Sequence, residues 1–182
     1  MTAALPATHL HSVQPIDGTM LRQVCGHFVT GVTVITSGEA GGESGGTTVN
    51  SFTSVSLDPP LVLFCLHNDS RLRAMVEDRR AFAVNFLAGR QEKVAWKFAG
   101  KQTANLSDVP HKRSIAGTPV LSDALAFLAC TLVSQFAGGD HTIYLGEVVE
   151  LGAARGRDPL IFFKGTLGAL ADEPHQTHYW DG

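Results

Sequence analysis

The sequence predicts a mainly β protein: a closed or partly closed β-barrel with a few peripheral α-helices. About six runs rich in Val, Ile, Phe and Thr have the composition of strands, and short helical patterns lie between the earlier ones. The last third of the chain is dominated by strand-like sequence. With 182 residues, of which 44% are hydrophobic and 17% charged, the chain is expected to form one domain with a substantial core.

The first helix is predicted to follow residues 1 to 16, which we interpret as a flexible arm. Apolar residues recur at helical spacing as far as Phe28, and either Asp17 or Thr19 can cap the start of this helix. The β-branched residues that follow predict a strand over residues 32 to 36.

Residues 47 to 57, which we call the hydroxyl-rich row, form the central feature of the chain. The glycine-rich residues 37 to 46 join two strand-like runs and predict a hairpin loop. In residues 47 to 57, small polar side chains are interspersed with apolar ones, and this extended run stops at Asp58-Pro59-Pro60. Hydroxyl groups at this density suit a surface that a flat polar ligand approaches closely. An equally open interpretation is a hairpin whose hydroxyls bond only to local backbone groups.

The remaining elements are predicted from periodicity and turn residues. Ser70 is expected to cap a helix over residues 71 to 78. A tight turn is predicted at Gly138-Gly139-Asp140 and a polar loop over residues 99 to 119. The other predicted elements are a helix over residues 89 to 98 and strands over residues 61 to 66, 81 to 87, 124 to 136, 142 to 151 and 159 to 170.

Charge and cysteine content exclude several classes of protein. The net charge of −3, without any Lys/Arg run, gives no long-range attraction for nucleic acid or an anionic membrane. No apolar run is long enough to span a membrane. The cysteines are odd in number, lie far apart and show no zinc-ligand spacing, so we expect neither disulfides nor a metal site. A reduced, cytoplasmic setting is the expectation.

Isolated catalytic motifs are weak. Gly42-Glu43-Ser44-Gly45-Gly46 matches the GxSxG pattern of hydrolases, but a strand-like run follows where that motif needs a helix. No P-loop or GxGxxG pattern occurs. His9/His11 and His175/His178 lie near the termini, where metal binding is not expected. His141 is a better candidate, since it follows a tight turn that can present its imidazole to a cleft.

Taken together, an ordered series of motifs resembles the flavin reductase family with the FMN-binding split-barrel fold, whose members are the reductase partners of two-component flavin monooxygenases. The resemblance covers about residues 17 to 170. Its motifs are FVTGVTV at 28–34, TVNSFTSVSLDPPL at 48–61, AVNFL at 83–87, GDH at 139–141 and FKG at 163–165. It implies a Greek-key split barrel over residues 17 to 171, with residues 172 to 182 as a tail outside it.

The resemblance implies that the protein transfers a hydride from NADH or NADPH to FAD or FMN. The reduced flavin would be supplied to a partner monooxygenase, and the chain would form a homodimer that completes the site. His141 would orient the nicotinamide. The absence of an obvious basic cluster for a 2′-phosphate favours NADH. The residues implied to bind the cofactor are Thr48, Val49, Asn50, Ser51, Ser54, Val55, Ser56, Cys65, Asn68, Ser70, Arg71, Asn85, Phe98 and Lys101.

Two residues depart from the family pattern. Leu167 stands where an aromatic is common, and Val49 where alanine is frequent. The main alternative function is a non-catalytic split-barrel protein that holds flavin as a sensor or carrier. A pyridoxine phosphate oxidase-like activity ranks lower, because the phosphate-binding basic residues of that family are not evident. A hydrolase ranks last.

Overall fold

The computed structural model describes residues 12, 14–100 and 104–170. Most of the predicted N-terminal arm and all of the predicted tail from residue 172 lie outside these residues. Within them, no helix is long and apolar enough to cross a membrane.

The observed elements are mostly strands. The helices are α1 (Gly18–Cys25), α2 (Leu72–Arg79) and α3 (Glu92–Phe98), the last preceded by a 3₁₀ turn at Gly89–Gln91. The strands are β1 (Thr30–Gly31), β2 (Thr33–Gly38), β3 (Ser44–Val49), β4 (Thr53–Leu57), β5 (Pro60–His67), β6 (Ala81–Phe86), β7 (Ala104–Asn105), β8 (His111–Arg113), β9 (Pro119–Leu121), β10 (Ala126–Gly138), β11 (His141–Ala153), β12 (Leu160–Phe163) and β13 (Thr166–Ala169).

These strands form antiparallel sheets, which confirms the prediction of a mainly β protein. An eight-stranded sheet has the order β4-β5-β11-β10-β6-β2-β3-β7, and smaller sheets are formed by β1-β12-β13 and β8-β9. Among the described residues, the outer strands β4 and β7 do not pair with each other, so backbone pairing does not close a barrel there. The long hairpin of β10 and β11 turns at Gly139, whose φ of 74° suits a two-residue turn. The predicted tight turn is thus confirmed.

Helix α1 begins as predicted and ends early. Asp17 caps it, accepting a hydrogen bond from the Met20 N–H at 2.8 Å. The helix ends at Cys25, not at Phe28, because Gly26 begins a tighter turn that leads into β1. That short strand pairs with β12 and brings the end of α1 against the small sheet.

Three other element predictions need correction. Ser70 does not cap α2: it lies in a turn, with its N–H on the His67 carbonyl at 2.9 Å, and Arg71 precedes the helix without a side-chain cap. The predicted strand over residues 159 to 170 is the hairpin β12–β13, since Lys164 and Gly165 both have positive φ. The predicted loop over residues 99 to 119 contains β7 and β8 and the first residue of β9.

Two buried clusters hold these elements in place. In the larger, the Phe64 ring stacks on Tyr144 at 5.2 Å and meets Phe82 edge-on at 4.7 Å, and α2 contributes Leu72 and Val76. In the smaller, α3 packs its buried face against β2 and β3. The end of β3 is therefore fixed between α3 on one side and β5 on the other.

Candidate functional site

A cleft of about 280 Å³ opens where β3, β5 and the β10–β11 turn come together. One wall is the end of β3 with the loop after it, and the opposite wall is the end of β5 with the turn that leads to α2. The lining residues are Thr47, Thr48, Val49, Asn50, Ser51, Cys65, Leu66, His67, Asp69, Ser70, Gly100 and His141. The cleft therefore combines the first part of the hydroxyl-rich row, residues 47 to 51, with His141.

Several hydroxyls of the row serve the fold as well as the cleft. Thr48 Oγ1 donates to the Ala95 carbonyl at 2.7 Å and ties β3 to α3. Ser51 Oγ accepts from the Cys65 N–H at 3.0 Å and contacts the Cys65 carbonyl at 3.2 Å. The interpretation that the hydroxyls satisfy local backbone groups therefore describes Ser51, which bonds within its own hairpin, but not Thr48, whose partner lies on α3. Their positions nevertheless form one wall of the cleft.

Other polar groups of the cleft have no such partner. The Asn50 amide and the Ser70 hydroxyl make no side-chain hydrogen bond to another described residue, and both line the cleft. Ser70 lies just before α2, and its carbonyl accepts the Arg73 N–H at 3.2 Å. The Asn50 amide and the Ser70 hydroxyl are donors and acceptors that a bound molecule can satisfy.

His141 lies at the start of β11, directly opposite His67 on β5. The two rings meet edge to face with 5.2 Å between their centroids. Asp140 Oδ1 lies 2.7 Å from His141 Nδ1, and this hydrogen bond lowers the pKa of the Asp140 carboxyl. An ionised carboxylate can only accept, so Nδ1 of His141 carries the proton.

Asn68 holds the turn that precedes His141. Its Nδ2 donates to the Gly139 carbonyl at 2.9 Å, its backbone N–H donates to the Asp140 carbonyl at 2.9 Å, and its Oδ1 accepts from Thr142 Oγ1 at 2.9 Å. Its predicted contact with the cofactor stays a prediction, and its amide supports the turn. This supporting role could not be predicted locally, because the contact joins residues far apart in the chain.

A polar network between β11 and α2 supports the same region. Tyr144 Oη donates to Glu77 Oε1 at 2.7 Å and accepts from Arg73 Nε at 3.1 Å. Arg73 also donates to the Asn68 carbonyl at 2.8 Å. Burial and the hydrogen bond to Glu77 raise the pKa of Tyr144 to about 12, whereas the hydrogen bond to Tyr144 raises the pKa of Arg73. The network links α2 to the turn beside the cleft.

A second cavity, of about 180 Å³, shares the wall formed by Thr48, Val49 and Asn50. It is largely apolar, and its other sides come from α3 and the β12–β13 hairpin, including Trp96 and Leu167. Together the two volumes fall in the range of about 300–1,000 Å³ that is typical of ligand pockets. A flat ring system with a polar extension fits this combination of a polar cleft and an apolar slot.

Two predicted cofactor-binding residues lie in the interior and are corrected. Asn85 has no exposed surface, and its amide bonds to the Val34 carbonyl at 2.9 Å and the Leu121 N–H at 2.8 Å. Phe98 is also fully buried, in the smaller core cluster beside Gly46. The family resemblance implied that both residues bind the cofactor, whereas in the structure both pack in the core.

Other predicted residues lie away from the cleft or outside the described chain. Ser54, Val55 and Ser56 are on β4, the outer strand of the large sheet, and only Ser56 is half-buried. Arg71 is exposed just before α2 and does not line the cleft. Lys101 lies outside the described residues. The structure therefore brings together Thr48, Val49, Asn50, Ser51, Cys65, Ser70 and His141.

Five cleft residues were missed by the sequence analysis: Thr47, Leu66, His67, Asp69 and Gly100. Thr47 belongs to the same hydroxyl-rich row, and Leu66 continues the strand that carries Cys65, so their neighbours gave a usable signal. His67 needed the pairing of β5 with β11, which is not visible in local sequence.

Comparison with known proteins identifies the family of the chain. Residues 25–171 match the family model described as "Flavin reductase like domain". An NADH-dependent FAD reductase from Streptomyces globisporus is 40% identical over 168 residues, covering 88% of this chain and 90% of that protein. The reductase subunit of a flavin-dependent monooxygenase from Rhodococcus jostii is 36% identical over 166 residues, covering 91% and 84% respectively.

A solved structure extends the comparison to the fold. The NADH:FAD oxidoreductase of Streptomyces globisporus in complex with NAD and FAD fragments superimposes with a TM-score of 0.84 at 38% identity, covering 91% of this chain and 100% of that one. The matched family model spans most of the chain, including the whole cleft. The chain therefore belongs to the flavin reductase family.

Proposed function

We propose that this protein is an NADH:flavin oxidoreductase that reduces FAD or FMN in the cleft beside His141. The observation that carries the proposal is that the polar cleft and the second, largely apolar cavity share one wall, which is formed by Thr48, Val49 and Asn50. When bound there, the flavin supplies the hydride acceptor and the dihydronicotinamide supplies the donor. The main task of the protein is then to hold the two rings about 3–3.5 Å apart with their reacting atoms aligned.

The residues of the cleft divide this task. Thr48, Val49, Asn50 and Ser51 form the wall along the flavin, where Asn50 offers an amide that no described residue satisfies. Ser70, which lines the cleft just before α2, suits the phosphate end, since its hydroxyl is available and helix N-termini favour anions. Cys65 lies between them as a neutral thiol, because burial raises its pKa.

His141 orients the nicotinamide from the opposite side. The turn that carries it is fixed by Asn68, so its imidazole is presented in one position. Hydride transfer requires no obligatory proton transfer from this residue. NADH is preferred to NADPH, because none of the described lining residues is a Lys or Arg that could pair with a 2′-phosphate.

The reduced flavin passes to a separate monooxygenase. A relative with this role, the reductase subunit from Rhodococcus jostii, supports this part of the proposal. The openness of the cleft to solvent at His67 and His141, whose side chains are 49% and 43% exposed, is compatible with a flavin that leaves after reduction.

A homodimer is part of the proposal. Apolar side chains are exposed around α1, among them Val24 at 71% and Phe28 at 76%. The groove that Phe28 lines also contains Asn50 and Ser51, so a second copy bound there borders the cleft. Phe28→Glu should therefore convert the dimer to monomer in sedimentation experiments and weaken flavin binding. A wild-type monomer with full activity would contradict this part.

A reducing, cytoplasmic setting completes the proposal. The support is that Cys25, Cys65 and Cys130 are all unpaired thiols, of which Cys25 is exposed. Activity recovered in the membrane or an exported fraction of the source cells would contradict it.

A steady-state assay that crosses NADH and NADPH with FAD, FMN and riboflavin tests the function. We expect NADH oxidation to be rapid with at least one flavin and slow without added flavin. No flavin-dependent turnover with either nicotinamide would exclude the enzyme. A stoichiometric flavin that survives dialysis and is not reduced by NADH would instead indicate the binding protein.

A further inference from the structure

The cleft contains a second imidazole, His67, for which the proposed mechanism has no use. His67 ends β5 and pairs in register with His141, the first residue of β11. Both rings line the cleft, with 5.2 Å between their centroids and 77° between their planes. Two half-exposed histidines are therefore held side by side on neighbouring strands.

The neighbours of His67 determine its tautomer. Its Nδ1 accepts a hydrogen bond from the Asp69 N–H at 3.1 Å, so the proton of the neutral ring is on Nε2. The Asp69 carboxylate lies 3.7 Å from the same nitrogen, too far for a hydrogen bond. A proton on Nδ1 would break the bond to the backbone, and the ring therefore offers an N–H donor at Nε2.

His141 has the opposite tautomer. Its Nδ1–H donates to Asp140 Oδ1 at 2.7 Å, which leaves Nε2 of the neutral ring as an acceptor. In each histidine a neighbouring aspartate is bonded to Nδ1, through the Asp69 N–H for His67 and the Asp140 carboxylate for His141. Nε2 is therefore the remaining polar atom of each ring. The pair therefore offers one donor and one acceptor to whatever enters the cleft.

A primary carboxamide needs this combination, because its carbonyl oxygen accepts and its amino group donates on the same side of the molecule. We propose that His67 and His141 together bind the carboxamide of the nicotinamide: His67 Nε2–H donates to the carbonyl oxygen, and the amino group donates to His141 Nε2. This assignment rests on the proposed function. It adds His67 as a binding and specificity residue and gives each histidine a distinct partner atom.

The test compares two nucleotides that differ at one group. Reduced 3-acetylpyridine adenine dinucleotide keeps the carbonyl of NADH but has a methyl in place of the amino group. His67→Phe should lower kcat/KM about three- to tenfold for both nucleotides, the factor that corresponds to one ordinary hydrogen bond. His141→Phe should lower it by a similar factor for NADH and have little effect with the acetylpyridine analogue, which lacks the partner of His141.

A binding measurement and two further variants complete the design. The dissociation constant of each nucleotide, from its own fluorescence with flavin-free protein, should follow the same pattern as kcat/KM. His67→Gln keeps an acceptor for the Asp69 N–H and an N–H donor. Its kcat/KM should therefore be closer to that of the wild-type protein than to that of His67→Phe. His111→Phe, which changes a histidine outside the cleft, should affect neither nucleotide.

The outcomes separate this assignment from the proposed function. Two outcomes would overturn the carboxamide assignment alone, provided that the wild-type protein turns over normally. In the first, His67→Phe leaves kcat/KM unchanged. In the second, both phenylalanine variants lower kcat/KM equally for both nucleotides. A wild-type protein without flavin-dependent turnover would overturn the proposed function and this assignment together.

Discussion

Ser51→Ala should weaken the protein more than any other serine substitution in the hydroxyl-rich row. In the β4–β5 pair Thr53 lies opposite Leu63, and the same register continued by two residues places Ser51 opposite Cys65. Backbone pairing stops before that point. The Ser51 hydroxyl takes its place, accepting from the Cys65 N–H at 3.0 Å and lying 3.2 Å from the Cys65 carbonyl. One side chain therefore holds the loop to β5 along a wall of the cleft.

The magnitude follows from the groups that the substitution leaves without a partner. An unsatisfied buried polar group costs about 1–3 kcal/mol, and since Cys65 is half-buried water can partly replace the hydroxyl. We therefore expect a loss of about 1–2 kcal/mol in the free energy of unfolding. For a chain of this size each kcal/mol lowers Tm by about 2–4 °C, which predicts a decrease of about 2–8 °C.

Urea and thermal denaturation of matched variants measure this effect. Ser54→Ala is the control, because Ser54 is exposed on β4 and its side chain makes no hydrogen bond to a described residue. Its effect should stay within about 0.5 kcal/mol. Ser51→Thr keeps the hydroxyl and should recover most of the stability. If Ser51→Ala and Ser54→Ala unfold at the same temperature, the hydroxyl does not hold the loop and the reasoning is wrong.

Two further predictions concern the core beside the cleft. Because its pKa is raised to about 12 from about 10, Tyr144 stays neutral in the folded protein while it ionises in the unfolded chain, so stability should fall as pH rises from about 10 to about 12. Tyr144→Phe should make Tm less dependent on pH in that range, and an unchanged slope would contradict the shift. Gly146→Ala places a methyl against the Phe82 ring and should cost about 1–3 kcal/mol in urea unfolding. Phe82→Leu in the same chain should recover part of that cost, and additive losses would argue against the clash.

The features that depend on local preferences were predictable from the sequence. The turn at Gly139 was predicted correctly because a positive φ favours glycine. The cap at Asp17 was predicted correctly because a short carboxylate can reach the first N–H groups of a helix. Helix α1 and the β12–β13 hairpin were less well predicted. Their ends are set by Gly26 and by the positive φ of Lys164, both of which depend on contacts between the two segments.

The roles of individual side chains were harder to predict, since they depend on strand register. The family resemblance implied that Asn85 binds the cofactor. In the structure, β6 pairs with β2 and the Asn85 amide donates to the Val34 carbonyl on that neighbouring strand. The role of Asn68 in fixing the β10–β11 turn was not predicted, since its partner Gly139 is far away in the chain. His67 was not selected at all, because only the register of β5 against β11 brings it to His141.

The most direct test of the proposed function is the reduction of flavin by NADH without oxygen. Protein, FAD or FMN, and NADH are mixed anaerobically, and the absorbance of the oxidised flavin is followed with ordinary NADH and with NADH deuterated at C4. We expect the absorbance to disappear at a rate that rises with protein concentration and falls with deuterium. Flavin that stays oxidised in the presence of both protein and NADH would contradict hydride transfer in this cleft.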